Sequence, residues 1–239
     1  MQWKTSLTKI ENDKTLIHGQ PLEELVGEKT FVELIWFLFK TAWPNPAETK
    51  LFNTMFGLII DHGVGTASAM TARTVASTGV TIQTAVAAGI LALGEKHGGA
   101  IESAMKLLLN IAEGADIAEF VKSAKTAKKR LSGFGHRVLA NDSRVDILFA
   151  VAKDAGHYGK YCILAEKIAE ELAKQSSKPI PLNIDGAMAA VLLEIGIAPE
   201  IANGFFLIGR MPGLVAQIAE ELKQNNGLRR LEESEILYE

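Results

Sequence analysis

Apolar residues recur with the period of an α-helix along almost the whole chain, and this regularity constrains the fold more than any other feature. Between residues 30 and 43 they return every three or four positions, which places them on one helix face. Thr30 followed by Glu33 is a typical helix start, and Pro44 and Pro46 end the run. Further helical stretches are predicted at 46–61, 66–77, 81–93, 98–112, 117–131, 144–155, 161–174, 187–193 and 200–224. Because alternating strand patterns are weak except for a short hairpin at the start of the chain, we predict an all-α fold.

Composition excludes several classes of protein. The 239 residues are 48% hydrophobic and 22% charged, a mixture unlike that of disordered chains or membrane bundles. The net charge of −3 argues against a duplex nucleic-acid partner, and apolar runs such as 34–39 are too short to span a membrane. Cys162 is the one cysteine, which excludes a disulfide scaffold, and the first residues lack the apolar core of a signal peptide. We therefore expect a cytoplasmic protein with no nucleic-acid or membrane partner.

Two of the predicted helices, 66–77 and 81–93, consist largely of Ala, Ser, Thr and Gly. Small side chains allow two backbones to approach closely. These helices are therefore predicted at a tight helix crossing or a subunit interface, although an Ala-rich core helix explains the composition equally well.

The candidate acid–base groups lie at breaks between helices. His62, His97 and His136 each stand beside glycine, which lets the backbone approach a ligand closely. Asp185 stands before Gly186 at the start of a helix, where a carboxylate is either a helix N-cap or a partly desolvated base. None of the histidines has the helical spacing of a metal-ligand pair, so we predict no metal site.

Arginines supply the candidate anion sites, because a guanidinium group binds a carboxylate through two hydrogen bonds. The candidates are Arg144, Arg210 and the pair Arg229-Arg230. Arg210 interrupts the apolar stretch 205–215, so it requires either a structural acid or an anionic ligand.

Four short motifs follow one another in a characteristic order and spacing: His97-Gly98-Gly99-Ala100, Gly135-His136-Arg137-Val138, Asn183-Ile184-Asp185-Gly186 and Gly209-Arg210. Together they resemble the citrate synthase superfamily, as do segments 19–25 and 31–34. Segments 61–63, 133–138, 182–186 and 227–228 are more similar to the citryl-CoA lyase module, which is free-standing or forms the end of ATP-citrate lyase. The chain departs from the family pattern in its short length and in Asp142-Ser143-Arg144, where the family has Asp-Pro-Arg. His97 is typical of a synthase, whereas the length and the other motifs favour the lyase.

The resemblance implies a citrate synthase-like architecture of two helical domains. Residues 1–97 and 187–239 would form the large domain, which makes a homodimer or a higher even oligomer. Residues 98–186 would form a smaller inserted domain that binds coenzyme A. Closure of the two domains would bring the reacting groups together and exclude water.

The resemblance also assigns roles to individual residues. Asp185 would move the proton at carbon, His97 would hydrogen-bond the thioester oxygen, and His136 would exchange the proton of the hydroxyl or keto oxygen. The substrate carboxylates would be held by His62, Arg144, Arg210 and Arg230, the last reaching into the neighbouring subunit's site. Coenzyme A would lie near Gly133, Phe134, Gly135, Arg137, Lys178 and Asn183. The basic helix end Lys122, Lys125, Lys128, Lys129 and Arg130 is either a phosphate contact or a solvated face.

The implied reaction is cleavage of citryl-CoA to acetyl-CoA and oxaloacetate. The alternatives are condensation of acetyl-CoA with oxaloacetate or a related 2-keto acid, and a non-catalytic subunit that binds coenzyme A. The coenzyme A thioester would be a substrate, with no tightly bound cofactor. An ATP-using step would require another polypeptide, a separate citryl-CoA synthetase.

Overall fold

The fold begins with a small antiparallel sheet and continues as helices. The structure is a computed structural model that describes residues 2–135, 142–176 and 180–239. Strands β1 (Thr8–Glu11), β2 (Lys14–Ile17) and β3 (Gln20–Pro21) pair in the order β1-β2-β3. Asn12 and Asp13 form the β1–β2 turn at φ 49° and 60°, the left-handed backbone that such a turn requires. The predicted N-terminal hairpin is confirmed.

Eleven α-helices follow in the described residues, which confirms the all-α prediction. They are α1 (Leu22–Glu28), α2 (Phe31–Lys40), α3 (Pro46–Leu58), α4 (Ala67–Ala76), α5 (Ile82–Leu91), α6 (Ala100–Ala112), α7 (Ile117–Thr126), α8 (Ser143–Asp154), α9 (Lys160–Gln175), α10 (Ile184–Ile195) and α11 (Pro199–Gln224).

Helices α2 and α3 begin with a reciprocal capping pair, and the pair at α2 is the one that the sequence predicted. Thr30 accepts a hydrogen bond from the backbone N–H of Glu33 at 3.3 Å, and the Glu33 carboxylate accepts one from the Thr30 N–H at 2.8 Å. Asn45 and Glu48 form the same reciprocal pair at the start of α3. At these two helix starts the local sequence agrees with the fold before tertiary packing is considered.

Helix α10 is the centre of the hydrophobic core. Every residue from 187 to 192 has no exposed surface, and α6, α8 and α9 pack around the helix. Because other helices surround α10, its first turn also lies in the interior of the protein, where Ile184 is buried. The predicted domain boundary between 186 and 187 falls within that first turn, and the division into two domains stays a prediction.

Helices α4 and α5 cross at short range, as their small residues predicted. A Cβ atom added to Gly89 would lie 3.0 Å from the Cβ of Ala72 and 3.1 Å from the Ser68 carbonyl oxygen. No larger residue fits at this crossing without a shift of the backbone.

Helix α11 matches the predicted stretch 200–224 and begins one residue earlier, at Pro199. Its apolar length, however, exceeds what the short apolar runs of the sequence led us to expect. Its 26 residues are long and apolar enough for a span by length and composition alone, a property that it shares with core helices of folded domains. It packs against α3, α4, α5 and α6, and it buries Arg210 and Glu221. We interpret α11 as a core helix.

Candidate active site

A cavity of about 650 Å³ brings together polar residues that are far apart in the sequence. The predicted residues that line it are His62, His97, Gly135, Arg144, Asn183, Asp185 and Arg210. They come from the α3–α4 loop, the α5–α6 loop, the loop after α7, and helices α8, α10 and α11.

The remaining predicted residues lie elsewhere. His136, Arg137 and Lys178 are outside the described residues. Arg230 is exposed in the segment after α11 and does not line the cavity. Its expected place in a neighbouring subunit's site stays a prediction.

His97 is held by a tight turn and by the first turn of α4. Two backbone hydrogen bonds of 2.8 Å join His97 to Gly94. The Ser68 backbone N–H donates to Nε2 of His97 at 3.3 Å, and the Ser68 hydroxyl lies 2.8 Å from the same nitrogen. Because Nε2 accepts a hydrogen bond from the peptide group, the proton of the neutral ring is on Nδ1. His97 is therefore oriented as a donor through Nδ1.

The environment also keeps His97 uncharged. Burial, followed by the positive charges of Arg210 and His62, lowers the pKa of the imidazole below its usual value. At neutral pH the ring is a neutral hydrogen-bond donor rather than a cation.

Asp185 occupies the second position of α10. The N-cap is Asn183, whose Oδ1 accepts from the backbone N–H groups of Asp185 and Gly186 at 3.0 and 3.1 Å. The alternative that Asp185 itself caps the helix is therefore wrong, and its carboxylate lines the cavity instead. Burial raises the pKa of Asp185 to about 6, although the positive charges of Arg144 and Arg210 lower it.

A close backbone contact fixes the start of α10. The Gly133 carbonyl accepts from the Asn183 N–H at 3.0 Å, and Asn183 Nδ2 donates to the Gly135 carbonyl at 2.8 Å. A Cβ added to Gly186 would lie 2.4 Å from the Gly133 oxygen, so no side chain fits there. Gly133 and Asn183 thus position the first turn of α10, although Gly133 itself does not line the cavity.

Arg144 is fixed by an acidic neighbour. Its Nε and Nη2 each donate to a different oxygen of the Asp142 carboxylate at 2.8 Å. These bonds use two of the five guanidinium N–H groups, which leaves three to donate to an anion in the cavity.

Arg210 is a buried cation on α11. It is 4% exposed, its Nε donates to the Ile59 carbonyl at 2.6 Å, and its guanidinium carbon lies 4.8 Å from the centre of the Phe206 ring. Burial lowers the pKa of Arg210, whereas the carboxylates of Asp61 and Asp185 raise it. Asp61 and Asp185 are thus the acidic neighbours of this cation, and Arg210 also lines the cavity.

His62 lies on a loop that is tied to α11. The neighbouring Asp61 accepts from the Gly63 N–H and from Gln217 Nε2, both at 3.1 Å. His62 lines the cavity, as does Arg210 of α11.

A second cavity, of about 430 Å³, adjoins the first at Gly135, which lines both. Its polar wall carries Lys125, Lys128, Lys129 and Arg130. Its apolar wall consists of Val121, Ala124, Leu131, Phe134, Leu172 and Ile180. The predicted residue Phe134 and most of the basic helix end thus face one groove.

Sequence reasoning missed Ser68 and Asp142. Ser68 lies in a helix rich in small polar residues, where nothing in the sequence distinguishes it from its neighbours. Asp142 stands two positions before Arg144, and this spacing was the available signal for an acidic partner. Within the ranges that the structure covers, no group of three or more potential ligands could hold a metal ion.

Residues 41–232 match the family model "Citrate synthase, C-terminal domain". Citryl-CoA lyase from Hydrogenobacter thermophilus is 38% identical with a TM-score of 0.91, and the match covers 99% of this chain and 94% of that chain. Citrate synthase from Thermoplasma acidophilum, solved with carboxymethyl coenzyme A and oxaloacetate, is 26% identical with a TM-score of 0.71, over 86% of this chain and 56% of that one.

Citrate synthase 2 of Bacillus subtilis is 32% identical over 78% of this chain and 50% of its own length. The chain spans between about a third and a half of the length of the curated relatives it matches, with 36%, 39% and 50% of three of them covered. The family match nevertheless covers most of the sequence and includes every described residue that lines the first cavity. The chain belongs to the citrate synthase family.

Proposed function

We propose that this protein is a citryl-CoA lyase, which cleaves citryl-CoA to acetyl-CoA and oxaloacetate. The observation that carries the proposal is the likeness to a citryl-CoA lyase over 99% of this chain and 94% of the other. Two curated citrate synthases that it matches are longer than this chain by factors of about 2.1 and 1.6, since 75% and 78% of this chain align with 36% and 50% of their lengths.

The cavity residues match the chemical needs of the cleavage. The hydroxyl of citryl-CoA loses its proton and becomes the keto oxygen of oxaloacetate, while the bond to the thioester CH2 breaks. The electron pair of that bond passes to the thioester as an enolate. The Nδ1–H of His97 donates a hydrogen bond to the enolate oxygen, and a protonated Asp185 gives its proton to the carbon.

The acid role of Asp185 agrees with its environment. A carboxyl group with its pKa raised to about 6 is protonated more often near neutral pH than an exposed one, and it is also basic enough to remove that proton in the reverse direction. The hydroxyl proton is assigned by the family resemblance to His136, which lies outside the described residues.

Carboxylate binding is assigned to Arg144, Arg210 and His62. Both guanidinium groups border the same cavity as Asp185, and each is already oriented by a protein acceptor. Preorganised donors of this kind bind a carboxylate without first losing side-chain freedom. Arg230 of a partner subunit would complete the set, as the resemblance implies.

Coenzyme A would run from the second cavity into the first. The lysine-rich wall suits its phosphates, the apolar wall suits its adenine ring, and Gly135 leaves room for the chain that leads to the thioester. We therefore extend the proposed coenzyme A site to Lys125, Lys128, Lys129 and Arg130, as contacts to its phosphates.

A homodimer is proposed through α4 and α5. Leu91 is 86% exposed and Met70 is 55% exposed on this helix pair. Leu91→Glu combined with Met70→Glu should give monomers in sedimentation analysis. Ile10→Glu, in the exposed hairpin, is the control and should leave the oligomeric state unchanged.

Condensation of acetyl-CoA with oxaloacetate is the second candidate, because His97 is typical of synthases and a synthase is 32% identical. Two assays separate the candidates. A lyase forms acetyl-CoA and oxaloacetate from citryl-CoA and releases no free thiol, because the thioester survives. A synthase hydrolyses citryl-CoA and therefore releases thiol from acetyl-CoA plus oxaloacetate.

Wild-type protein and Asp185→Asn are compared in both assays. If the wild type cleaves citryl-CoA without releasing free thiol, and Asp185→Asn does not cleave it, the result supports the lyase. Thiol release supports the synthase. Binding of coenzyme A with neither activity would contradict both and support a coenzyme A-binding subunit.

A further inference from the structure

Asp142 is a carboxylate with no exposed surface, located immediately behind the wall of the first cavity. It does not line that cavity, so it cannot touch a ligand there. Its two oxygens accept four hydrogen bonds, three from one neighbouring residue and one from a helix end far away in sequence.

The first set of bonds holds Arg144. Nε and Nη2 donate to separate Asp142 oxygens at 2.8 Å, and the Arg144 backbone N–H donates at 3.2 Å. A guanidinium group bound through two parallel hydrogen bonds has a fixed plane. The direction of its remaining N–H groups is then also fixed.

The other bond holds α10. The Ile184 backbone N–H donates to Asp142 Oδ2 at 3.0 Å, in a buried contact. Ile184 is the first residue of α10 and immediately precedes Asp185. The buried Asp142 carboxylate therefore connects Arg144, which lines the cavity, to the first turn of α10. That turn carries Asp185, the proposed proton donor to carbon.

We propose that Asp142 is a positioning residue that aligns Arg144, which binds a substrate carboxylate, with Asp185, which transfers the proton at carbon. The proposal rests on the proposed function and deepens it, because it makes carboxylate recognition and proton transfer depend on one shared group. Asp142 acts through its two neighbours and not on the substrate.

Electrostatics agree with this geometry. Burial would raise the pKa of Asp142, but the hydrogen bonds and charge of Arg144 and the Ile184 N–H outweigh it and hold the pKa below its usual value. Asp142 is therefore a permanent negative charge, and it raises the pKa of Asp185, whereas Arg144 and Arg210 lower it. Removal of the Asp142 charge should lower the pKa of Asp185.

A purely structural role has to be separated from positioning, because Asp142 is also the N-cap of α8. Asp142→Ser keeps a good capping residue, but its one uncharged hydroxyl oxygen cannot replace the two carboxylate oxygens that accept separately from Nε and Nη2. Asp142→Asn keeps the size but loses the charge. Asp116→Ser is the matched control, since Asp116 caps α7 by accepting from the Glu119 N–H at 2.9 Å and is exposed.

The first measurement is citrate binding by calorimetry, together with the KM for citryl-CoA. In both Asp142 variants the citrate affinity should fall and the KM for citryl-CoA should rise by about 10- to 100-fold, which corresponds to the loss of a charge-assisted hydrogen bond. Asp116→Ser should leave the citrate affinity and the KM unchanged. The second is the pH profile of kcat/KM, whose limb near pH 6 should move to lower pH in both variants. Unchanged binding and an unmoved limb, with only the melting temperature lowered, would overturn the proposal.

Loss of the proposed activity and loss of the positioning role give different experimental results. If wild-type protein catalyses neither cleavage nor condensation, the proposed function is wrong, and the citrate measurement then decides on Asp142 alone. Wild-type binding that is lost in both variants supports the positioning role. A wild type that binds no citrate overturns it. Asp142→Asn/Arg144→Gln removes both charges together, so no unpaired buried charge is left, and its citrate affinity should equal that of Arg144→Gln.

Discussion

Asp185→Asn should abolish turnover and at the same time make the protein more stable at neutral pH. In the folded protein burial raises the pKa of Asp185 from its usual 3.8 to about 6. The folded state therefore binds this proton more tightly than the unfolded chain does. The stability that the group contributes is fully present below pH 4 and is lost as the pH rises through about 6.

The size of the effect follows from the shift. About two pKa units correspond to roughly 3 kcal/mol, which is the cost of the charged carboxylate in its buried site at pH 7. Asn has nearly the same shape and no charge, so the variant should gain up to this amount. For a chain of this size that corresponds to roughly 6–12 °C in melting temperature.

The assay is urea unfolding of both proteins at one protein concentration, at several pH values between 4 and 8. Asp146→Asn removes an exposed carboxylate of α8 and is the matched control, with no comparable gain expected. The advantage of Asp185→Asn should be largest at pH 7 and above and should vanish near pH 4. A variant that is less stable than wild type at pH 7, or a gain independent of pH, would refute the reasoning.

The remaining predictions concern the hydrogen-bond donor His97, the carboxylate-binding residue Arg210 and the close contact between Gly186 and Gly133. His97→Ala removes the proposed enolate donor, so kcat should fall by roughly 10²- to 10³-fold with little change in KM, and steady-state kinetics with citryl-CoA check this. A larger rise in KM than fall in kcat would contradict the role. Arg210→Gln should raise the KM strongly. Arg210→Lys, which keeps the charge but loses the planar guanidinium group, should recover only part of the affinity. An unchanged KM in both variants would show that Arg210 does not bind a substrate carboxylate. Gly186→Ala places a Cβ 2.4 Å from the Gly133 oxygen, so it should destabilise the fold and lower activity. Gly204→Ala has nothing within 4 Å of the added atom and should stabilise α11 slightly, by up to about 1 kcal/mol. Equal melting temperatures for these two glycine variants would contradict the close contact.

Local chemistry made much of the helical framework predictable. The Thr30–Glu33 pair defines the start of α2 at Phe31, because capping acts within one helix turn. The end of α2 was predicted less well, since the helix stops at Lys40 and not at residue 43. Boundaries were less accurate where tertiary contacts override the local pattern. The helix predicted at 187–193 extends over Ile184–Ile195, because Asn183 Oδ1 caps it by accepting from the Asp185 and Gly186 N–H groups. The Asn183 amide is oriented by its donation to the Gly135 carbonyl, a tertiary contact that the sequence does not reveal.

The sequence by itself determined that the chain is helical, which side chains are reactive, and the order of motifs that resembles the citrate synthase family. Those properties depend on residue identity and on spacing along the chain. Only the tertiary structure decided that His97, Arg144, Asp185 and Arg210 border one cavity, because they come from separate helices and loops whose approach is set by packing around α10. The raised pKa of Asp185 is likewise a tertiary property, since it follows from burial and from charges that are distant in the sequence.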